Sequence, residues 1–125
     1  MTRLCWTTLL GVMAIMLGGP TWAEEAAARG RKIYERCMGC HAIDRDRAGP
    51  RHRGLIGRRA GTVPGFEYSD AMRRSGIVWT AATLDRFLAA PTKAVPGTSM
   101  GFDGVKDARE RADLIAYLKR ATARR

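Results

Sequence analysis

Aromatic residues are scarce in this sequence, nine among 125, and acidic residues number 12 against 22 Lys and Arg. So few aromatics make a thin hydrophobic core for one small domain. No stretch alternates apolar and polar residues as a strand would, which argues against a large multi-strand enzyme fold. No apolar run reaches the roughly 20 residues of a spanning helix, which excludes a multi-span membrane protein. Lysine is scarce too, four against eighteen Arg, so guanidinium groups carry most of the formal charge of +10. That balance implies an acidic partner or surface, yet no nucleic-acid-binding motif or stacking platform accompanies it. With 46% hydrophobic and 27% charged residues, the chain has the composition of one folded globule.

The first residues read as an address. Arg3 supplies a short positive start, residues 9–17 are apolar, Gly18-Gly19-Pro20 breaks the run, and Thr21-Trp22-Ala23 ends in small residues where a signal peptidase inspects. The pattern predicts a secretory signal over residues 1–23 with cleavage after Ala23, and a folded domain over 24–125. An uncleaved anchor is the alternative, but the run is short and closed by helix breakers. Cleavage leaves 102 residues at a charge of +9 and removes Cys5. Two cysteines remain.

Those two stand in Cys37-Met38-Gly39-Cys40-His41. C-x-x-C alone fits a zinc half-site or a redox pair as well. Zinc needs two more thiolate or imidazole ligands, and the only other histidine is His52. A thioredoxin-type pair expects a preceding strand, whereas a helical pattern precedes this one. The His directly after the second Cys makes the string a c-type haem attachment sequence. Two thiols at this spacing add across two vinyl groups of one haem and carry the next imidazole under the ring. Export fits, since that ligation takes place outside the cytoplasm.

A six-coordinate haem iron needs a second axial ligand, and Met38, Met72 and Met100 survive cleavage. Met38 is tethered inside the attachment loop on the His41 side. Met72 lies in a short helical stretch and reads as a core or pocket-lining side chain. Met100 closes Pro96-Gly97-Thr98-Ser99-Met100, a loop stiffened by Pro and turned by Gly, fifty-nine residues after His41. A loop Met is more often a gap filler than a ligand.

From residue 29 to residue 121 the sequence resembles a class I cytochrome c of the mitochondrial and bacterial electron-carrier type. The resemblance rests on the attachment string and on Gly49-Pro50, Gly54-Leu55-Ile56-Gly57-Arg58, Pro64-Gly65-Phe66 and Tyr68-Ser69-Asp70-Ala71. Gly76-Ile77-Val78-Trp79, Pro96-Gly97-Thr98 with Met100, and Asp113-Leu114-Ile115-Ala116-Tyr117-Leu118-Lys119 complete it. It implies an all-α class I cytochrome c fold, with the first and last helices crossing over one covalent haem c. It implies thioethers at Cys37 and Cys40, and iron ligation by His41 and Met100. The Pro50 carbonyl is then expected to hold His41, Arg58, Tyr68 and Trp79 to bond the haem propionates, and Thr98 to contact the cofactor. Gly30 and Tyr34 resemble the positions where the first helix crosses Leu114 and Tyr117 of the last.

The pattern of residues predicts a helix over 24–36, a shorter one over 83–88 ended by Pro91, and a last helix from an Asp107 N-cap to 121. Residues 42–64 read as Gly-rich loop that needs a cofactor to pack on. Against the family pattern, Phe87 stands where Tyr is common, Met72 where Asn is common, and His52 at a site usually apolar. The loop between His41 and Pro50 is shorter than in mitochondrial relatives, which points to a bacterial protein. His52 reads as a packed or partly exposed side chain.

The resemblance implies a monomeric periplasmic carrier of single electrons rather than an enzyme. Arg31, Lys32, Arg36, Lys93 and Lys106 match or neighbour family positions around the haem edge that dock acidic faces of redox partners. The partner class is a membrane or periplasmic complex: a cytochrome bc-type donor, an oxidase, a reaction centre or a dehydrogenase. No nucleic acid and no stable membrane insertion are expected. The rival reading is a haem sensor or peroxidase with an open or weakly held sixth position.

Overall fold

Thr21, three residues ahead of the expected helix start, decides where the first helix begins. Its hydroxyl accepts from the Glu24 amide at 3.3 Å while the Glu24 carboxylate accepts from the Thr21 amide at 2.7 Å. This capping box satisfies two donors that a helix start leaves without partners. Helix α1 therefore runs Trp22–Tyr34, not 24–36, and the expected cleavage point lies in its first turn. The structure is a computed structural model that describes residues 18–124, so the apolar run of the expected export signal lies outside the described residues.

The remaining helices are α2 (Asp70–Arg74), α3 (Ala81–Ala89), α4 (Pro91–Ala94) and α5 (Ala108–Ala121). A Thr80/Thr83 capping box starts α3 two residues earlier than expected. Pro91 does more than stop α3. Its fixed φ suits a first helical position, and it opens α4. Asp107 caps α5 as the sequence predicts, accepting from the Glu110 amide at 2.8 Å. Among the described residues no strand forms; Arg59 and Val78 make one isolated antiparallel bridge. The fold is all-α.

The α1–α5 pair is the most extensive contact between elements. Ala27, Gly30, Ile33 and Tyr34 on α1 bury against Leu114, Ile115 and Leu118 on α5. Gly30 permits the approach: a Cβ there would overlap the Asp113 carbonyl oxygen and stand 2.8 Å from Tyr117 Cβ. The Tyr34 and Tyr117 rings meet with centroids 5.2 Å apart. Arg29 closes the crossing with two bonds to the Asp113 carboxylate, at 2.7 and 3.0 Å.

Loops occupy the rest of the interior surface. The segment after the cysteine motif is tied by His52 N–H to the Ala42 carbonyl at 3.0 Å and by Arg53 N–H to Ile43 at 2.7 Å. Gly54 N–H then donates to the Thr122 carbonyl at 2.6 Å. The Arg53 guanidinium also reaches the Ala121 and Ala123 carbonyls, each at 2.7 Å, joining this loop to the end of α5.

Candidate haem site

Beyond α1 the chain tightens. Cys37 N–H donates to the Tyr34 carbonyl at 2.8 Å, and Cys40 N–H and His41 N–H both donate to Cys37 at 3.1 and 2.9 Å. One compact turn thereby brings Cys37, Cys40 and His41 to the wall of a single cavity of about 450 Å³. Cys37 is partly buried, Cys40 exposed and His41 buried. Both thiols are free of disulfide bonding, and burial pushes the Cys37 thiol up to about 11. Among the described residues no three His, Cys, Asp or Glu side chains gather as a metal cage, so a zinc half-site here has no second half.

His41 is held on two sides. Its Nδ1–H donates to the Pro50 carbonyl at 2.8 Å, which fixes the tautomer and leaves Nε2 as the ring's Lewis base. Gly49 packs against the ring edge; a Cβ there would overlap Cε1 and lie 2.6 Å from Nε2. Burial lowers the His41 pKa, opposed by the bond to Pro50. The ring is thus kept neutral, the form that binds metal.

Further residues reach the same cavity from three elements. Met100 comes from the loop after α4, where Thr98 N–H donates to Val95 at 3.0 Å and the Thr98 hydroxyl accepts from Met100 N–H at 3.3 Å. Met72 of α2 and Phe87 of α3 line it too and are buried, whereas Met38 is half exposed on the outside. Leu55, Leu84, Leu88, Leu114 and Leu118 make its apolar wall.

At the polar end stand Arg58, Tyr68 and Trp79, all three bordering the cavity. Arg58 is no solvated surface charge. Its guanidinium donates to the Arg53 carbonyl at 2.9 Å and to Arg51 at 3.2 Å, and desolvation lowers its pKa. The Tyr68 hydroxyl accepts from Val63 N–H at 3.2 Å, and burial raises its pKa. Trp79 is buried, its ring 5.0 Å from Phe87. A flat apolar ring with two carboxylates fits this cavity: leucines for its faces, a thiol pair at its edge, and cationic and hydroxyl donors for its acids.

The sequence profile of the cytochrome c family matches residues 27–122. The chain belongs to the class I cytochromes c. It is 42% identical over 104 residues to cytochrome c2 of Blastochloris viridis, covering 81% of this chain and 82% of that protein. It is 48% identical over 99 residues to cytochrome c 2.1 of Caenorhabditis elegans, covering 77% and 89%. Among solved structures, cytochrome cH from Methylobacterium extorquens matches with a TM-score of 0.73 at 42% identity, covering 74% of this chain and 96% of that one. As a class I cytochrome c the protein carries covalent haem c with its iron, and Cys37 and Cys40 fit the attachment motif.

Two features escaped the sequence. His52 is packed and partly exposed as expected, but its partner was not foreseen: its ring stacks on His41, centroids 4.3 Å apart and planes 23° apart. The Tyr34 hydroxyl hydrogen-bonds its Nδ1 at 3.0 Å. Burial, then the neighbouring His41 and Arg58, push His52 down to about 3. Among the basic residues expected to dock partners, Arg36 is engaged by the Glu110 carboxylate at 2.9 and 3.0 Å. Lys106 donates to the Ala89 carbonyl at 3.1 Å and to Asp103. Arg31, Lys32 and Lys93 stand exposed.

Proposed function

We propose that the chain is an exported, monomeric one-electron shuttle whose haem iron is bound by His41 and Met100. Cytochrome c family membership makes it an electron carrier; the ligand set, partners and compartment are the proposal. The observation that carries it is the shared cavity, which His41 and Met100 both line while each is tethered locally, His41 by Pro50 and Met100 by Thr98. When bound, the haem supplies a one-electron couple between ferric and ferrous iron, and His/Met ligation raises its potential.

The chain's own residues do the rest. Cys37 and Cys40 anchor the ring edge. His41 presents Nε2, and Pro50 keeps its proton on Nδ1. Met100 would supply its thioether to the bound iron, and an iron so held would not take up oxygen or peroxide. Arg58, Tyr68 and Trp79 would hold the propionates of a bound haem, and Thr98 steadies the Met100 loop. The Pro50 bond to His41, and the ties of that loop to the end of α5, leave little to rearrange on the imidazole side between two oxidation states. Exposed Arg31, Lys32 and Lys93 contribute to a positive surface that attracts acidic faces of membrane or periplasmic redox complexes, such as a cytochrome bc-type donor, an oxidase, a reaction centre or a dehydrogenase. The leader over residues 1–23 sends the domain to the periplasm, where it stays a carrier and performs no catalysis of its own.

The deciding experiment is the optical spectrum of the purified holoprotein, oxidised and reduced, with and without carbon monoxide. A low-spin spectrum with the weak red sulfur-to-ferric-iron band, unmoved by carbon monoxide, is expected. A high-spin spectrum that takes up carbon monoxide readily would replace this reading with a sensor or peroxidase.

A further inference from the structure

A single hydrogen bond cannot fix the plane of an imidazole. The Pro50 carbonyl holds one atom of His41, Nδ1, and the ring remains free to tilt about that bond. Gly49 restrains the edge that carries Cε1 and Nε2. The face is covered by His52, nearly parallel at 23° and 4.3 Å away between centroids. An aliphatic side chain would press on that face without direction. His52 is instead held at both ends: its backbone N–H donates to Ala42 at 3.0 Å, and its Nδ1 is bonded to the Tyr34 hydroxyl at 3.0 Å. Tyr34 is itself buried in the α1–α5 crossing, where its ring packs on Tyr117.

We propose that His52 and Tyr34 form a positioning pair that sets the plane of the His41 imidazole, through a stack on its face and a hydrogen bond that ties this stack to α1. The inference rests on the reading of His41 as an iron ligand. Its physical content is a relay of orientation: the helix crossing fixes Tyr34, Tyr34 fixes the rotation of His52, and His52 fixes the tilt of His41. The plane of an axial imidazole decides which iron d-orbitals share its electron density, so this pair controls the electronic asymmetry of the ferric ion. Partners one step removed from a metal act in this way by orienting the ligand rather than touching the ion.

The test uses ferric holoprotein and two variants, His52→Leu and Tyr34→Phe. The readouts are the paramagnetically shifted proton resonances of the haem ring methyls and the low-spin EPR g-values, both of which report the ligand planes. His52→Leu is expected to redistribute the methyl shifts and move the g-values while the sulfur-to-iron band persists. Tyr34→Phe should move both in the same direction by less, and the double variant no further than His52→Leu alone. Val105→Ala, a core truncation away from the cavity, should lower stability yet keep the wild-type pattern. Wild-type shifts and g-values in both variants would overturn the pair. So would an equal displacement in Val105→Ala. Should His52→Leu not yield holoprotein, Tyr34→Phe decides alone, and an unmoved pattern there overturns the proposal. A wild-type protein without the sulfur-to-iron band but with an imidazole-type EPR signal would count against Met100 only. Absence of any imidazole signature would sink the His41 reading and this inference with it.

Discussion

The carbonyl oxygen of Asp113 occupies the space that a Cβ on residue 30 would need. The α1–α5 crossing therefore depends on the absence of a side chain at Gly30. Gly30→Ala gains roughly 1 kcal/mol of helix propensity. It also forces the two backbones apart, and overpacking of this kind costs about 1–3 kcal/mol or more. The obstacle is backbone, which cannot swing aside, so a net loss of about 1–2 kcal/mol is expected. Chemical denaturation of the holoprotein measures it, and an unchanged midpoint would contradict the close approach.

The same aspartate gives a pH signature. The two bonds from Arg29 hold the Asp113 carboxyl below the usual carboxylate range. A folded-state pKa below the unfolded one means that the ion pair's stabilisation is complete above the unfolded value, about 3.9. It disappears as pH falls through the lower folded value. Asp113→Asn is expected to reduce stability at neutral pH and to flatten the acid limb of the stability curve. A parallel acid limb in wild type and variant would show that other carboxylates carry it.

Two glycines near the haem motif should behave in opposite ways. Gly39, inside the motif, has open space where a Cβ would go, so Gly39→Ala should leave spectrum and stability unchanged. Gly49, outside the motif, has the His41 ring there. Gly49→Ala should displace the imidazole, weaken the sulfur-to-iron band by loosening the cavity, and lower the yield of holoprotein. Absorption spectra of the two variants side by side decide the matter.

Association with an acidic redox partner should slow as salt rises. At physiological ionic strength the screening length is about 8 Å, so steering by this Arg-rich basic surface weakens over the range of an ordinary titration. Lys93→Gln is expected to slow the second-order rate at low salt and to have little effect at high salt. Stopped-flow rates that do not vary with salt would remove the steering.

Much of the site is legible in the sequence because covalent attachment demands a fixed local string. Cys37, Cys40 and His41 sit in five consecutive residues, and the Pro50 partner lies nine residues on. The last helix is legible for the same local reason, an Asp107 cap followed by an apolar stripe. The α1 start is hidden although the Thr21/Glu24 spacing of a capping box is present, because the apolar leader beside it reads as a separate unit. Helix α4 is hidden because Pro91 signals both an end and a beginning. His52 and Arg58 differ in kind. The stack on His41 arises where the loop folds back on Ala42, and the Arg58 bonds to Arg51 and Arg53 close a turn. Neither closure has a spacing that a linear pattern could announce.

The two walls of the cavity are not equally anchored. On the imidazole side, backbone bonds reach from Gly54 to Thr122, and the Arg53 side chain spans to Ala121 and Ala123, so that wall is bound to the far end of the chain. On the Met100 side, the hydrogen bonds of Thr98 and Met100 reach only residues within three positions of themselves. A segment tied by short-range bonds can open by itself, whereas one tied to α5 opens only when the terminal helices part. Amide protons of residues 97–101 should accordingly exchange with solvent far sooner than those of the α1–α5 crossing. Met100 can then leave the cavity while the chain stays folded around His41.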